Sequence, residues 1–63
     1  MTRNTEQIEI TVEILRESER AIFVTDGDVK EWLPKSQLEY EGDVGQTVVV
    51  SMPEWLATDK GLI

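Results

Sequence analysis

Apolar and polar positions alternate along the first part of the chain: Ile8, Ile10, Val12 and Ile14 point one way, Glu9, Thr11 and Glu13 the other. A period of two belongs to a strand with one face buried and one in water. Glu17-Ser18-Glu19 breaks the pattern and predicts a turn. Ala21-Ile22-Phe23-Val24, rich in strand formers, then predicts a second strand paired with the first as a hairpin. Thr25-Asp26-Gly27-Asp28 carries Asp-Gly, the dipeptide that supplies the positive φ of a tight hairpin turn. A third strand follows over residues 29–33, and Pro34 ends it because proline donates no ladder hydrogen bond.

Pro34-Lys35-Ser36-Gln37 suits a single 3-10 turn, and residues 38–41 resume as a short strand. The glycines of Glu41-Gly42-Asp43-Val44-Gly45 mark a loop, after which residues 46–51, with Val48, Val49 and Val50, predict a buried central strand. Ser51-Met52-Pro53-Glu54 has the spacing of a capping box and opens a short helix over residues 53–59, closed by Lys60-Gly61. A helix this short does not hold alone, so Trp55 is expected in the core, with Leu56, Leu62 and Ile63 sealing the barrel mouth. The expected fold is mainly β: a small SH3-like or OB-like barrel of about five antiparallel strands with a 3-10 turn and a short C-terminal helix. Residues 1–5 are expected to be a flexible N-terminus, and residues 6–63 a single small β-barrel domain.

Composition narrows the function. A chain of 63 residues supports one thin core. With no Cys and no His, disulfides and nitrogen or thiolate metal sites are excluded. An Asp26-Gly27-Asp28 calcium loop fails as well, because its twelfth position is Gln37 rather than a bidentate glutamate. No catalytic residue, metal ligand or cofactor is expected, and the protein reads as no enzyme. No apolar run approaches the ~20 residues of a membrane span, and the start lacks a leader's apolar stretch, so the expected location is the cytoplasm. Thirteen acidic residues against six basic give a net charge of −7. That sign repels phosphate backbones, which disfavours nucleic acid, and suits either simple solubility or docking on a basic protein. A thin core and an unprotected edge at residues 46–51 also make a homodimer an expectation.

The candidate binding residues are Trp32, Lys35, Gln37 and Tyr40, which form either a structural corner or a recognition surface, and Glu39, Glu41 and Asp43. If extended, those three carboxylates share one face, which is either merely solvated or an acidic stripe for a basic partner. Trp32 falls on the strand face opposite Leu33, next to Tyr40, and serves either the core or an interface as anchor.

Trp32-Leu33-Pro34-Lys35-Ser36-Gln37-Leu38, Pro53-Glu54-Trp55-Leu56-Ala57 and Lys60-Gly61-Leu62 give the chain a resemblance, over residues 21–63, to small proteins of bacteriophages and prophages. The resemblance carries over no functional residue; it implies a setting in which small acidic proteins bind host or defence proteins, some by imitating nucleic acid. The leading expectation is therefore a non-enzymatic phage-type accessory protein that acts by protein–protein binding, inhibiting a host nucleic-acid-handling or defence complex through acidic faces. The alternative is a small-barrel single-stranded nucleic-acid-binding module that stacks bases on Trp32, Phe23 or Tyr40.

Overall fold

The computed structural model describes residues 6–63, and the expected flexible start lies outside them. Four strands form one antiparallel sheet: β1 (Gln7–Glu17), β2 (Ala21–Thr25), β3 (Lys30–Pro34) and β4 (Thr47–Pro53), in the order β3-β2-β1-β4. A 3-10 turn (Lys35–Gln37) follows β3, and one helix, α1 (Glu54–Asp59), follows β4. The mainly β, OB-like architecture stands, with four ladder strands rather than five and an open sheet. No helix among the described residues is long and apolar enough to cross a membrane.

Alternation builds the core. Val12 and Ile14 of β1, Ile22 and Val24 of β2, Leu33 of β3, and Val48, Val50 and Met52 of β4 face one side and are buried together. Leu56, Ala57 and Leu62 close the open end of that layer. The hairpin turns carry their own bonds: Ser18 Oγ accepts the Ala21 N–H, and Asp26 N–H donates to the Val29 carbonyl across Gly27, whose φ is 103°. The Val29 and Asp28 N–H groups go to the Asp26 side chain, and Gly27 between them supplies the positive φ that closes the loop.

The strand expected over residues 38–41 shrinks to one bridge. Glu39 exchanges both backbone hydrogen bonds with Ser51, at 2.9 and 2.8 Å, on the side of β4 away from β1. Beyond it the loop satisfies itself: Asp43 N–H donates to Gln46 Oε1, and Gln46 N–H to the Asp43 carbonyl. Gly42, at φ 146°, lies against Val48 so closely that a Cβ there would collide with Val48 Cγ1. The β4 edge expected to be bare is therefore partly covered by its own preceding loop, which removes one argument for pairing with a second copy. Gly42→Ala is expected to destabilise the domain by about 1–3 kcal/mol, read as a lower urea midpoint, because it combines a collision with an unfavourable φ.

Two further expectations are corrected. Residues 48–50 are not a buried central run: β4 lies at the end of the ladder order and has one face on the core, so Val49 between Val48 and Val50 is exposed. The capping box does not form either. Ser51 is committed to β4 and its bridge, Pro53 is the N-cap without a side-chain bond, and Glu54 N–H donates instead to the Glu6 carbonyl. Trp55 is 43% exposed rather than core, because only Leu56 and Ala57 of this six-residue helix point inward. The C-terminal cap matches expectation: Gly61 at φ 77°, with Gly61 N–H donating to Thr58 and Leu62 N–H to Ala57, forms a Schellman arrangement that draws Leu62 into the core, while Ile63 stays exposed.

Candidate functional site

The face of the sheet opposite the core is decided by a bulge. Ile14 pairs with Val24, but the next pair is Arg16 with Phe23, so Leu15 is an extra residue on β1. Simple alternation would send Arg16 toward the core with Ile14. The inserted residue reverses it and sets Arg16 across from Phe23, as bulges do when they re-aim a side chain. Phe23 pairs in turn with Trp32 on β3. One row on the outer face therefore reads Arg16, Phe23, Trp32 across three strands. The next row, two residues or about 7 Å along the strands, reads Glu13, Thr25, Lys30.

Phe23 and Trp32 form a pair with ring centroids 5.1 Å apart and planes tilted by 37°. That separation lies in the favourable range for aromatic contact, and the pair leaves 42% of Trp32 in water. A tryptophan packed on one side by a neighbouring ring yet this exposed leaves an apolar surface that the described residues do not cover.

The positions flanking it mix cations with carboxylates, since Glu13 shares the Lys30 row. Arg16 completes the row, Lys30 follows on β3, and Arg20 and Lys35 meet at the opposite end, where the Lys35 backbone N–H donates to the Arg20 carbonyl at 2.8 Å. Of the five described Lys and Arg residues, only Lys60 lies elsewhere, beyond α1. Lys35 Nζ donates to Glu17 Oε2 at 2.6 Å, a bond that holds its pKa above the ordinary lysine value. The pair is solvent-exposed, so a ligand anion can compete for the ammonium at little cost. At the far end of the β2–β3 hairpin, Asp26 Oδ1 accepts the N–H groups of Val29 and Asp28, both at 2.8 Å, which pulls its carboxyl below 3.8. The stability this adds is present above 3.8 and is lost as pH falls through the lowered value. Carbon-detected titration of Asp26 is expected to give a midpoint below 3.8, and unfolding measured across the same acid range should show the loss.

The seven residues singled out from the sequence do not assemble into one surface. Trp32 and Lys35 fall at the outer-face site, but the ring partner of Trp32 is Phe23 rather than Tyr40, which is half-buried against the core. Gln37 is exposed at the end of the 3-10 turn. Glu39, Glu41 and Asp43 do not share a strand face, because only Glu39 is paired while Glu41 and Asp43 sit in the loop. The additions are Arg16, Arg20, Lys30 and a full role for Phe23. The apolar doublet Ile14-Leu15, which breaks the alternation, is the signal that could have placed Arg16.

An open antiparallel sheet in this order, with a 3-10 turn after β3 and an aromatic pair on the β2–β3 outer face, defines a small OB-like domain. The family model of the S1 domain matches residues 9–51, more than half of the chain, and the chain belongs to that family. Searches of curated proteins and of solved structures found no match. Arg16, Arg20, Phe23, Lys30, Trp32 and Lys35 all fall within the matched residues, and α1 falls outside them.

Proposed function

We propose that the protein binds single-stranded nucleic acid on the outer face of β1–β3, with bases stacking on Trp32 and Phe23 and backbone phosphates held by Arg16, Lys30, Arg20 and Lys35. The observation that carries this reading is the Phe23–Trp32 pair, which leaves Trp32 42% exposed with Arg16 in its own row and Lys30 in the next on the same sheet face. Membership of the S1 domain family supports it, since such domains are typically nucleic-acid-binding OB folds, and the strand 2–3 face is where OB folds take oligonucleotides. Stacking on aromatic side chains is tolerant of sequence and gives much of the affinity of such sites.

The net charge of −7, which argued against a nucleic-acid partner, is a sum over the molecule. At physiological salt a charge is felt over about 8 Å, so a phosphate at this face responds first to the cations beside it. The remaining carboxylates limit affinity, and binding is expected in the micromolar range or weaker. Inhibition of a host complex through acidic faces keeps only the overall charge as support, since the Glu39, Glu41 and Asp43 stripe is not formed.

The test is a titration of labelled oligouridylate and oligothymidylate, followed by anisotropy and by quenching of tryptophan emission. Affinity should fall with salt at a log–log slope of about −2.8, from the counterions released when four phosphates of a single strand are neutralised. No change in anisotropy at low salt would remove the proposal.

A further inference from the structure

The outer face of α1 presents a second exposed tryptophan with a different electrostatic setting. Trp55 is 43% exposed and contributes little to the core that holds the helix. It borders a shallow groove of about 370 Å³ with Glu54, Thr58 and Asp59. One helical turn separates Trp55 from Asp59 and Glu54 from Thr58, so the indole has a carboxylate beside it at the next turn and a second carboxylate and a hydroxyl along its flank. Neither Glu54 nor Asp59 has an ion-pair partner among the described residues. The site lies at the opposite end of the chain from the cation-rich row, and outside the residues that match the S1 domain.

We infer that this groove binds an arginine side chain presented by a partner protein. An indole face attracts a cation through its quadrupole, and the attraction is largest for tryptophan. A guanidinium also lies flat on the ring while its forked N–H donors meet carboxylates at the edge, which an ammonium does less well. Two uncompensated carboxylates reject the phosphates that the β1–β3 face attracts, so the two surfaces select partners of opposite charge. This surface is separate from the Glu39, Glu41 and Asp43 stripe considered from the sequence, and it does not depend on the oligonucleotide reading.

Trp32→Phe leaves Trp55 as the sole tryptophan, and its emission can then be followed during titration with a capped tetra-arginine peptide. Saturable quenching is expected, roughly tenfold weaker in Glu54→Gln/Asp59→Asn and within about twofold of the parent in Glu39→Gln/Glu41→Gln/Asp43→Asn. Oligouridylate affinity should not fall in Glu54→Gln/Asp59→Asn. Absence of saturable quenching overturns the inference. Equal weakening by both sets of substitutions overturns it too, because the attraction would then be one of net charge alone. An emission change that depends on protein concentration without peptide, with rising mass in sedimentation, would assign the groove to a second copy instead.

Discussion

Trp32→Ala is expected to weaken oligouridylate binding by roughly 5- to 150-fold, the range that one lost base–aromatic stack produces on alanine substitution. The loss should appear without unfolding. Trp32 lies on the face of β3 opposite Leu33, and the buried layer is built without it. Trp32→Phe, which retains a ring against Phe23, should recover most of the affinity. Arg16→Ala should act differently: it removes a charge rather than a stacking surface, so the salt slope should fall by about 0.7. If Trp32→Ala binds as the parent does while Arg16→Ala loses most of its affinity, the site is an electrostatic patch and the aromatic pair has no part in recognition.

Leu33→Ala is expected to be the most damaging single truncation on β3. Leu33 is fully buried, pairs with Ile22 across the β2–β3 ladder, and sits beside Pro34 where the strand ends. Removing a buried leucine side chain costs about 2–5 kcal/mol through lost transfer energy and the cavity left behind. A domain this small has a total of only about 3–9 kcal/mol to lose. Urea titration should therefore show a much lower midpoint at 25 °C, with part of the population unfolded before denaturant is added. Val49→Ala is the control on β4. Its side chain is 53% exposed, so the unfolding free energy should change by no more than about 0.5 kcal/mol. Comparable losses in both variants would mean that the outer side of β4 is covered in solution by something the isolated chain does not supply.

Much of the scaffold was legible because period-two alternation and turn chemistry act over a few residues. The Ile8 to Ile14 pattern, the Asp26-Gly27 turn and the Gly61 cap all report conformations that nearby residues decide. The errors came where two local readings competed or where a distant strand made the choice. Ser51 has the right spacing to cap α1, yet its backbone is claimed by Glu39, a pairing no local rule contains. Val48, Val49 and Val50 look uniformly apolar, but every strand of this single sheet has only one face on the core, so Val49 turns outward. A helix this short needs packing to hold it, which points to Trp55, whereas Leu56, Ala57 and Leu62 already fill the space beneath the helix. The candidate site was legible in Trp32 and Lys35 and, for the nucleic-acid alternative, in Phe23. Its other members depend on which residues of β1, β2 and β3 stand opposite one another, and that register is fixed by the bulge.

The bulge at Leu15 has a bearing on how this chain should be aligned with other S1 domains. Arg16 reaches the outer face only because β1 contains one residue more than its partner strand requires. An alignment that stays in register through Ile14 and has no gap at Leu15 would match Arg16 to a residue that faces the interior in a relative with an unbroken strand, and every comparison of surface charge from Arg16 to the end of β1 would be made against the wrong side of the sheet. Length, rather than residue identity, is then the character to score at this point of the strand, because a one-residue indel moves a positive charge between the interior and the outer face of the sheet without any substitution.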